Sequence, residues 1–179
     1  MCGPSLPRGW LPDAMMIPDW LSILIVLFGL VLSFYFSGSE TALTASSRAA
    51  MLRLAKEGNR KAGIVNKLME RRERMIGALL FGNNAANIAA STLAAGLFLA
   101  WFGEVGVIYA TVVMTVVVVV FCEVLPKSAS LDSPDRIALV VAPTIDRVVR
   151  LLDPVLAATE WLVRRMLAAM GFHIGDWQE

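Results

Sequence analysis

The feature that most constrains the fold is an apolar run, beginning at Val105, that ends in a carboxylate and a proline. Residues 105–130 read VGVIYATVVMTVVVVVFCEVLPKSAS, and about twenty apolar residues in a helix are enough to cross a bilayer. Glu123 lies inside the run, and Pro126 follows three residues later. Proline has no N–H to donate, and its ring clashes with the carbonyl four residues back, which here belongs to Cys122. The pattern therefore predicts an intramembrane carboxylate beside a freed backbone oxygen, and such a pair is a candidate functional site.

Two more apolar runs predict two more spanning helices. Residues 20–36, WLSILIVLFGLVLSFYF, form the first, and the SGSET that follows places Gly38 among hydroxyl residues, which predicts a break or kink there. Residues 75–101 form the second and are rich in Ala and Gly, which lets helices approach closely. Residues 102–104 predict a short turn into the third. With 57% hydrophobic and 17% charged residues, we predict an all-α membrane protein with three transmembrane helices.

The remaining segments predict a lead-in, a basic hairpin and a long amphipathic helix. The proline-rich residues 1–18 predict a loosely structured lead-in, after which Asp19 is expected to cap the first helix. Residues 40–58 predict a helix that begins inside the membrane and is closed by Gly58, and residues 59–74 predict a second, basic amphipathic segment. Together they give a basic helical hairpin at about 46–74, within a core of residues 19–131.

The C-terminal part predicts a belt helix at the membrane surface. Asp132-Ser133-Pro134 is a helix-start signal, and residues 132–172 contain apolar stretches too short to span. We predict a juxtamembrane helix, bent by its two prolines, that lies in the interface or packs around the bundle; the alternative is a soluble core helix. Residues 173–179 are expected to be a tail leading to cytosolic domains. The helix carries one polar stripe, formed by Asp146, Arg150, Asp153, Glu160 and Arg164.

The distribution of basic residues predicts the orientation. Nine of the 16 Lys and Arg residues lie between Arg48 and Arg74, and six more lie at or after Lys127. Because cytoplasmic loops carry the excess of basic residues, we expect the hairpin and the C-terminus to be cytoplasmic and the N-terminus to lie outside. The expected location is a cell membrane, with a bacterial inner membrane favoured.

This orientation places polar side chains from all three spans in the inner half of the bilayer. The candidate ligands are hydroxyls, amide oxygens, one carboxylate and one freed carbonyl, which suit hard cations such as Mg²⁺, Ca²⁺ or Na⁺ rather than zinc or copper. One carboxylate only partly neutralises a divalent ion, which suits a transporter that must also release it. The candidate metal ligands are Ser33, Ser37, Asn83, Asn87, the carbonyl of Cys122, and Glu123.

Each candidate also has a structural explanation. A membrane serine such as Ser33 often bonds back to its own helix, and membrane asparagines often join helices without binding a ligand; Asn84 and Ser91 are assigned to packing. Glu123 could form an ion pair with Lys127, one helical turn on. The Ser39, Glu40 and Thr41 group fits a helix N-cap as well as it fits a site.

Three motifs, in this order, carry a resemblance to a known family. FSGSETAL after the first span, GNNAANI in the second and CEVLPKSAS at the end of the third resemble the membrane domain, called DUF21, of the CorC/CorB and cyclin M (CNNM) magnesium transporters. The resemblance covers residues 18–172, nearly the whole chain. One departure is that Cys122 stands where the family pattern G-E-x-x-P-K has glycine.

The resemblance implies several properties of this chain. It implies a homodimer of three-span protomers and Mg²⁺ efflux coupled to Na⁺ entry, with the ion held near Ser33 and Ser37, Asn83 and Asn87, and Glu123. Members continue into cytosolic CBS domains that bind ATP, so such domains are expected in the full-length protein and no nucleotide site is expected in this chain. No nucleic-acid partner is expected.

Two functional hypotheses stay open, and a third is excluded. The first is a Mg²⁺ transporter with an inward-facing pocket, and the second is a non-transporting anchor or sensor that relays Mg²⁺ occupancy to a cytosolic module. An intramembrane serine hydrolase, suggested by Ser37-Gly38-Ser39, fails because the sole histidine, His173, lies beyond all three spans. No enzymatic activity is therefore expected.

Overall fold

In the computed structural model, residues 18–169 are described, and all of their regular structure is helical. The predictions for the lead-in through residue 17 and for the tail after residue 169 lie outside the described residues. The elements in chain order are α1 Asp19–Ala45, α2 Arg48–Lys56, α3 Arg60–Glu70, α4 Arg72–Phe102, α5 Val105–Val117, a π-helical segment Val118–Val124 (the π segment), α6 Leu125–Asp132 and α7 Pro134–Ala169.

Three helical stretches among the described residues are long and apolar enough to cross a membrane. They are Asp19–Ala45, Arg72–Phe102 and the continuous stretch Val105–Asp132 formed by α5, the π segment and α6. The prediction of an all-α protein with three spans is therefore confirmed. The turn between the second and third spans falls at Gly103, whose φ of 68° is a conformation that glycine adopts without steric cost.

The first span differs from its prediction in two ways. The break expected at Ser37-Gly38-Ser39 is wrong, because α1 continues to Ala45 and the chain leaves the helix at Ser46. Gly38 is instead a contact point, since a Cβ there would lie 3.1 Å from Ser130 Oγ and 3.4 Å from Pro126 Cβ. Asp19 does not cap the helix; its Oδ2 accepts a hydrogen bond of 3.1 Å from Trp101 Nε1.

Helices α1 and α4 run antiparallel in close contact. The Asp19–Trp101 bond joins them at one end. Near the middle, a Cβ on Gly29 would lie 3.1 Å from Ala90 Cβ and 3.3 Å from the Ala86 carbonyl oxygen. Small residues on both helices therefore allow the backbones to approach, which is how membrane helices gain packing energy without a hydrophobic driving force.

The basic hairpin and α7 build a second layer on one end of the spans. Ser47 caps α2 by accepting from Ala50 N–H, Asn59 caps α3 by accepting from Lys61 and Ala62 N–H, and Gly58 closes α2 with a φ of 92°. These helices pack with the end of α1, the start of α4 and α7. The buried apolar core they share contains, among others, Leu43, Met51, Val65, Leu79 and Ile145.

Helix α7 is tied to the start of α4 by charges. It runs unbroken through Pro143 and Pro154 and packs on α1, α3 and α4. Arg74 of α4 donates to Asp153 at 2.7 Å and lies 3.9 Å from Glu160, and Asp146 pairs with Arg150 within the helix. The polar stripe predicted for this helix therefore faces α4 over part of its length.

Candidate cation site between the spanning helices

The centre of the candidate site is a hydrogen bond between the first and second spans. Ser33 Oγ of α1 donates to Asn83 Oδ1 of α4 at 2.6 Å, and both residues are buried. Ser33 therefore does not bond back to its own helix, unlike Thr41 and Thr44, whose hydroxyls donate to carbonyls of α1. Both a cation site and simple helix association would produce this bond. Other observations must therefore decide between these two roles.

The antiparallel packing decides where the other two predicted ligands lie. Ser37 is one helical turn past Ser33 and Asn87 one turn past Asn83, but α1 and α4 run in opposite directions. The two residues therefore lie on opposite sides of the Ser33–Asn83 pair, each about 6 Å along the helix axis at 1.5 Å per residue. Their side chains lean towards the N-terminus of their own helix, and so towards the pair. The polar groups form a line along the bundle axis rather than one ring.

Two oxygen atoms along this line, Ser37 Oγ and Asn87 Oδ1, are buried and have no hydrogen-bond partner, and both belong to predicted ligands. Ser39 Oγ is in the same state, but it lies on the opposite face of α1 from Ser37. Burying a polar atom without a partner costs about 1–3 kcal/mol, so such atoms call for an explanation such as a bound water or ion. Because Ser39 lies inside α1, its interpretation as a helix cap is wrong.

The third span contributes through its π segment. The run predicted to be irregular because of Pro126 forms a π-helix over Val118–Val124, which contains both Cys122 and Glu123. π-helical turns inside α-helices are frequent at functional sites. The buried thiol of Cys122 donates to the Leu30 carbonyl at 3.5 Å, and Ser33 lies beside it. The segment therefore packs on α1 at the level of the Ser33–Asn83 pair.

Glu123 is half-buried and forms no ion pair among residues 18–169. The alternative in which it pairs with Lys127 is therefore not observed. It is the only Asp or Glu within the three apolar runs. The structure gives it no protein hydrogen-bond partner in the described part of the chain, which leaves both carboxylate oxygens available to a ligand.

The ligand atoms that are available determine which ions could bind here. Across the described helices, no group of three or more His, Cys, Asp or Glu side chains could hold a metal, so the available ligands are mostly uncharged oxygens. Such oxygens, with one carboxylate, suit hard cations that keep part of their water shell. Magnesium keeps several waters in proteins, and waters would bridge ligands that are about one helical turn apart.

Sequence reasoning missed three features of this region. In the sequence, Ser39 fits a helix cap as well as a site, the Leu30 carbonyl carries no signal, and Gly38 predicts a break. Pro126 and Ser130 are four residues apart and share one face of the third span, a spacing that could have indicated a packed helix face.

Comparisons with known proteins give a consistent result. The model of the cyclin M transmembrane N-terminal domain family matches residues 23–178. The chain is 37% identical over 140 residues to the UPF0053 inner membrane protein YfjD of Escherichia coli (strain K12), covering 78% of this chain and 33% of that protein. It is 28% identical over 158 residues to a UPF0053 protein of Haemophilus influenzae, covering 88% of this chain and 38% of that protein.

A plant relative extends the comparison. A DUF21 domain-containing chloroplastic protein of Arabidopsis thaliana is 33% identical over 149 residues, covering 83% of this chain and 22% of that protein. The chain thus spans between about a fifth and two fifths of the length of these three relatives.

Proposed function

Because this chain belongs to the cyclin M transmembrane N-terminal domain family, we propose that it carries Mg²⁺ across the membrane through the polar line between α1, α4 and the π segment. The transport proposed is efflux coupled to Na⁺ entry, by a homodimer with the N-termini outside and the C-termini in the cytoplasm. The protein is a multi-pass membrane protein, and the bacterial inner membrane is its proposed location.

The observation that carries the proposal is the unpartnered oxygen on each side of the Ser33–Asn83 bond. Ser37 Oγ and Asn87 Oδ1 are buried, lack partners and come from two different helices. Buried polar atoms in folded proteins almost always have a partner, which can be an ordered water or an ion. A cation that moves along the polar line with part of its hydration shell would pair with each of these two atoms in turn.

The role proposed for Glu123 is to supply the single charge that makes a divalent ion favourable at this depth. A charged side chain without a protein partner inside the membrane is costly, and a cation offsets that cost. One negative charge leaves a bound Mg²⁺ incompletely neutralised, which keeps binding weak enough for release. The Cys122 carbonyl, whose usual helical donor is absent because Pro126 has no N–H, is proposed as a further oxygen ligand.

The test is Mg²⁺ flux into proteoliposomes, measured with a magnesium-sensitive dye, for wild type, Glu123→Gln and Glu104→Gln. Glu104 lies exposed in the turn between the second and third spans and is the matched control. Losing one charge-assisted interaction of about 1.5–3 kcal/mol should raise the Mg²⁺ concentration that gives half-maximal flux roughly 10- to 150-fold in Glu123→Gln. Equal flux in all three proteins would refute the proposed role.

A second candidate function is a sensor that relays ion occupancy without transport. The observation that favours it is the ionic contact of Arg74, at the start of α4, with Asp153 and Glu160 of α7, which links the second span to the helix leading to the C-terminus. Mg²⁺ binding to the wild-type protein, measured calorimetrically, with no flux above that of empty liposomes would favour the sensor over the transporter.

A further inference from the structure

A cavity separate from the polar line opens where the first and second spans meet the basic hairpin. Its volume is about 220 Å³, and it is lined by polar residues of α1, α2 and α4 above a floor that includes Leu43 and Met75. Those two floor residues are almost completely buried. We refer to this cavity as the arginine pocket, since Arg48 and Arg72 both line it.

The arginine pocket concentrates positive charge without a compensating carboxylate. Arg48 and Arg72 form no ion pair within 4.0 Å among the described residues, whereas Arg53 and Arg74 are each paired with a carboxylate. No Asp or Glu lines the cavity. Two guanidinium groups at one cavity bind phosphate well, because each presents a planar fork of donors that matches phosphate oxygens.

The hydroxyls in the wall restrict which groups can bind the anion. Thr44 Oγ1 donates to the Glu40 carbonyl and Ser46 Oγ to the Leu43 carbonyl, so neither hydroxyl proton is free for an anion. At the adjacent start of α2, the Ser47 N–H donates to Asp135 Oδ1 at 2.7 Å. The two arginines, and not the helix N-terminus, are therefore the groups that would recognise an anion here.

The depth of the pocket suits an anion that is joined to an apolar group. Arg72 is the first residue of α4 and Thr44 is next to last in α1, so the pocket lies at the boundary between the apolar spans and the basic hairpin. At this level a bilayer presents phosphate groups joined to glycerol and acyl chains. A cavity with cationic walls and a Leu and Met floor matches both parts of such a molecule.

We propose that the arginine pocket binds a phosphate group, held by Arg48 and Arg72. The shared chemistry is a phosphate anion, and its two possible sources are the headgroup of an acidic phospholipid and a free phosphate in solution. This site is independent of the proposed transport function, because it lies at the end of the spans and contains none of the candidate cation ligands.

The lipid arm measures bound lipids by native mass spectrometry after purification of the full chain from vesicles of equal phosphatidylglycerol and phosphatidylcholine. The variants are Arg48→Gln/Arg72→Gln and the matched control Arg60→Gln/Lys61→Gln, which removes two exposed charges from α3 outside the cavity. The expected result is a bound phosphatidylglycerol-to-phosphatidylcholine ratio that falls about tenfold in the first variant, equivalent to 1.4 kcal/mol, and stays at the wild-type value in the control.

The free-phosphate arm measures the melting temperature in neutral detergent with inorganic phosphate against chloride at equal ionic strength. A rise that wild type and the control share, and that Arg48→Gln/Arg72→Gln lacks, assigns the site to free phosphate; a dependence seen only with phosphatidylglycerol assigns it to the lipid. The proposal is overturned if the two variants lose bound phosphatidylglycerol, or the phosphate-induced rise in melting temperature, to the same extent. It is also overturned if neither quantity depends on Arg48 and Arg72.

A measurement on the wild-type protein tests the proposal even if the double variant does not fold. Phenylglyoxal modifies accessible arginines, and the modified positions are mapped by peptide mass spectrometry. Phosphatidylglycerol vesicles or inorganic phosphate should slow the modification of Arg48 and Arg72 at least about fivefold relative to Arg60. The same rates with and without both ligands overturn the proposal.

Discussion

The Ser33–Asn83 hydrogen bond gives a quantitative test of how the first and second spans are held together. Asn83→Ala removes the oxygen acceptor of the Ser33 hydroxyl, which is fully buried at 0% exposure and then has only the weakly bonding Cys122 thiol beside it. A buried donor left without a partner costs about 1–3 kcal/mol. The interaction itself is worth less, because interhelical hydrogen bonds in membranes contribute about 0.6 kcal/mol on average and about 1.7 at most. At 2.6 Å this bond belongs near the upper end of that range.

A double-mutant cycle separates these two quantities. The free energy of unfolding in bicelles, measured by steric trapping, is compared for wild type, Ser33→Ala, Asn83→Ala and the double variant, and the expected coupling energy is about 1–1.7 kcal/mol. Asn84→Ala, the same substitution at the exposed neighbouring position, is the control and should change stability by less than about 0.5 kcal/mol. A coupling energy below about 0.3 kcal/mol, or an equal loss in the control, would show that this bond does not join the spans.

Three further predictions test the packing, the ionic contacts and the ligand. Gly38→Leu should destabilise the protein by about 1–3 kcal/mol, since an added Cβ there would lie only 3.1 Å from Ser130 Oγ. Gly63→Leu should not, because an added Cβ there would meet no atom within 4 Å; thermal unfolding compares the two variants. Arg74→Gln should cost only about 0.2–1 kcal/mol, because its ion pair is 39% and 41% exposed, and the difference from wild type should shrink at high salt. Mg²⁺ at 100 times its dissociation constant should stabilise wild type by about 2.7 kcal/mol and Asn83→Ala by much less, and equal stabilisation would place the ion elsewhere.

The spans could be predicted from the sequence because their signal is local. Long apolar runs specify a membrane helix whatever the helix packs against, and the Gly103 turn and the Gly58 helix end follow from the freedom of glycine to adopt positive φ. The expected break at Ser37-Gly38-Ser39 was wrong for the complementary reason. Glycine marks close approach as well as a break, and only the partner surface, here Pro126 and Ser130, decides between them.

The residues of the candidate site could be predicted from the sequence, but their positions relative to one another could not. The choice of Ser33 and Asn83 rested on polar residues at matching depth, and the structure joins them directly. A spacing of four residues places Ser37 on the same helix face as Ser33, and Asn87 on the same face as Asn83. It does not show whether the two helices run parallel or antiparallel. Only the antiparallel packing shows that these two residues extend away from the central bond in opposite directions.

The contacts around α1 also indicate which span moves most easily during the proposed transport. The α1–α4 contact is held from Asp19 to Ser33, by Asp19–Trp101 at one end, by the close approach at Gly29, and by the bond at Ser33. Beside the site, the third span contacts α1 through a thiol donor at 3.5 Å, and thiols donate weakly. That span is also π-helical at this level, where the backbone hydrogen-bond pattern already departs from the α-helix. At the level of Ser33, moving the π segment away from α1 therefore breaks a weaker polar contact than separating α1 from α4, and it carries Glu123 with it. The close approach of Gly38 to Pro126 and Ser130 keeps α6 on α1. Opening and closing of the polar line is accordingly expected to proceed by motion of the π segment, about this α1–α6 contact, against a fixed pair formed by the first two spans.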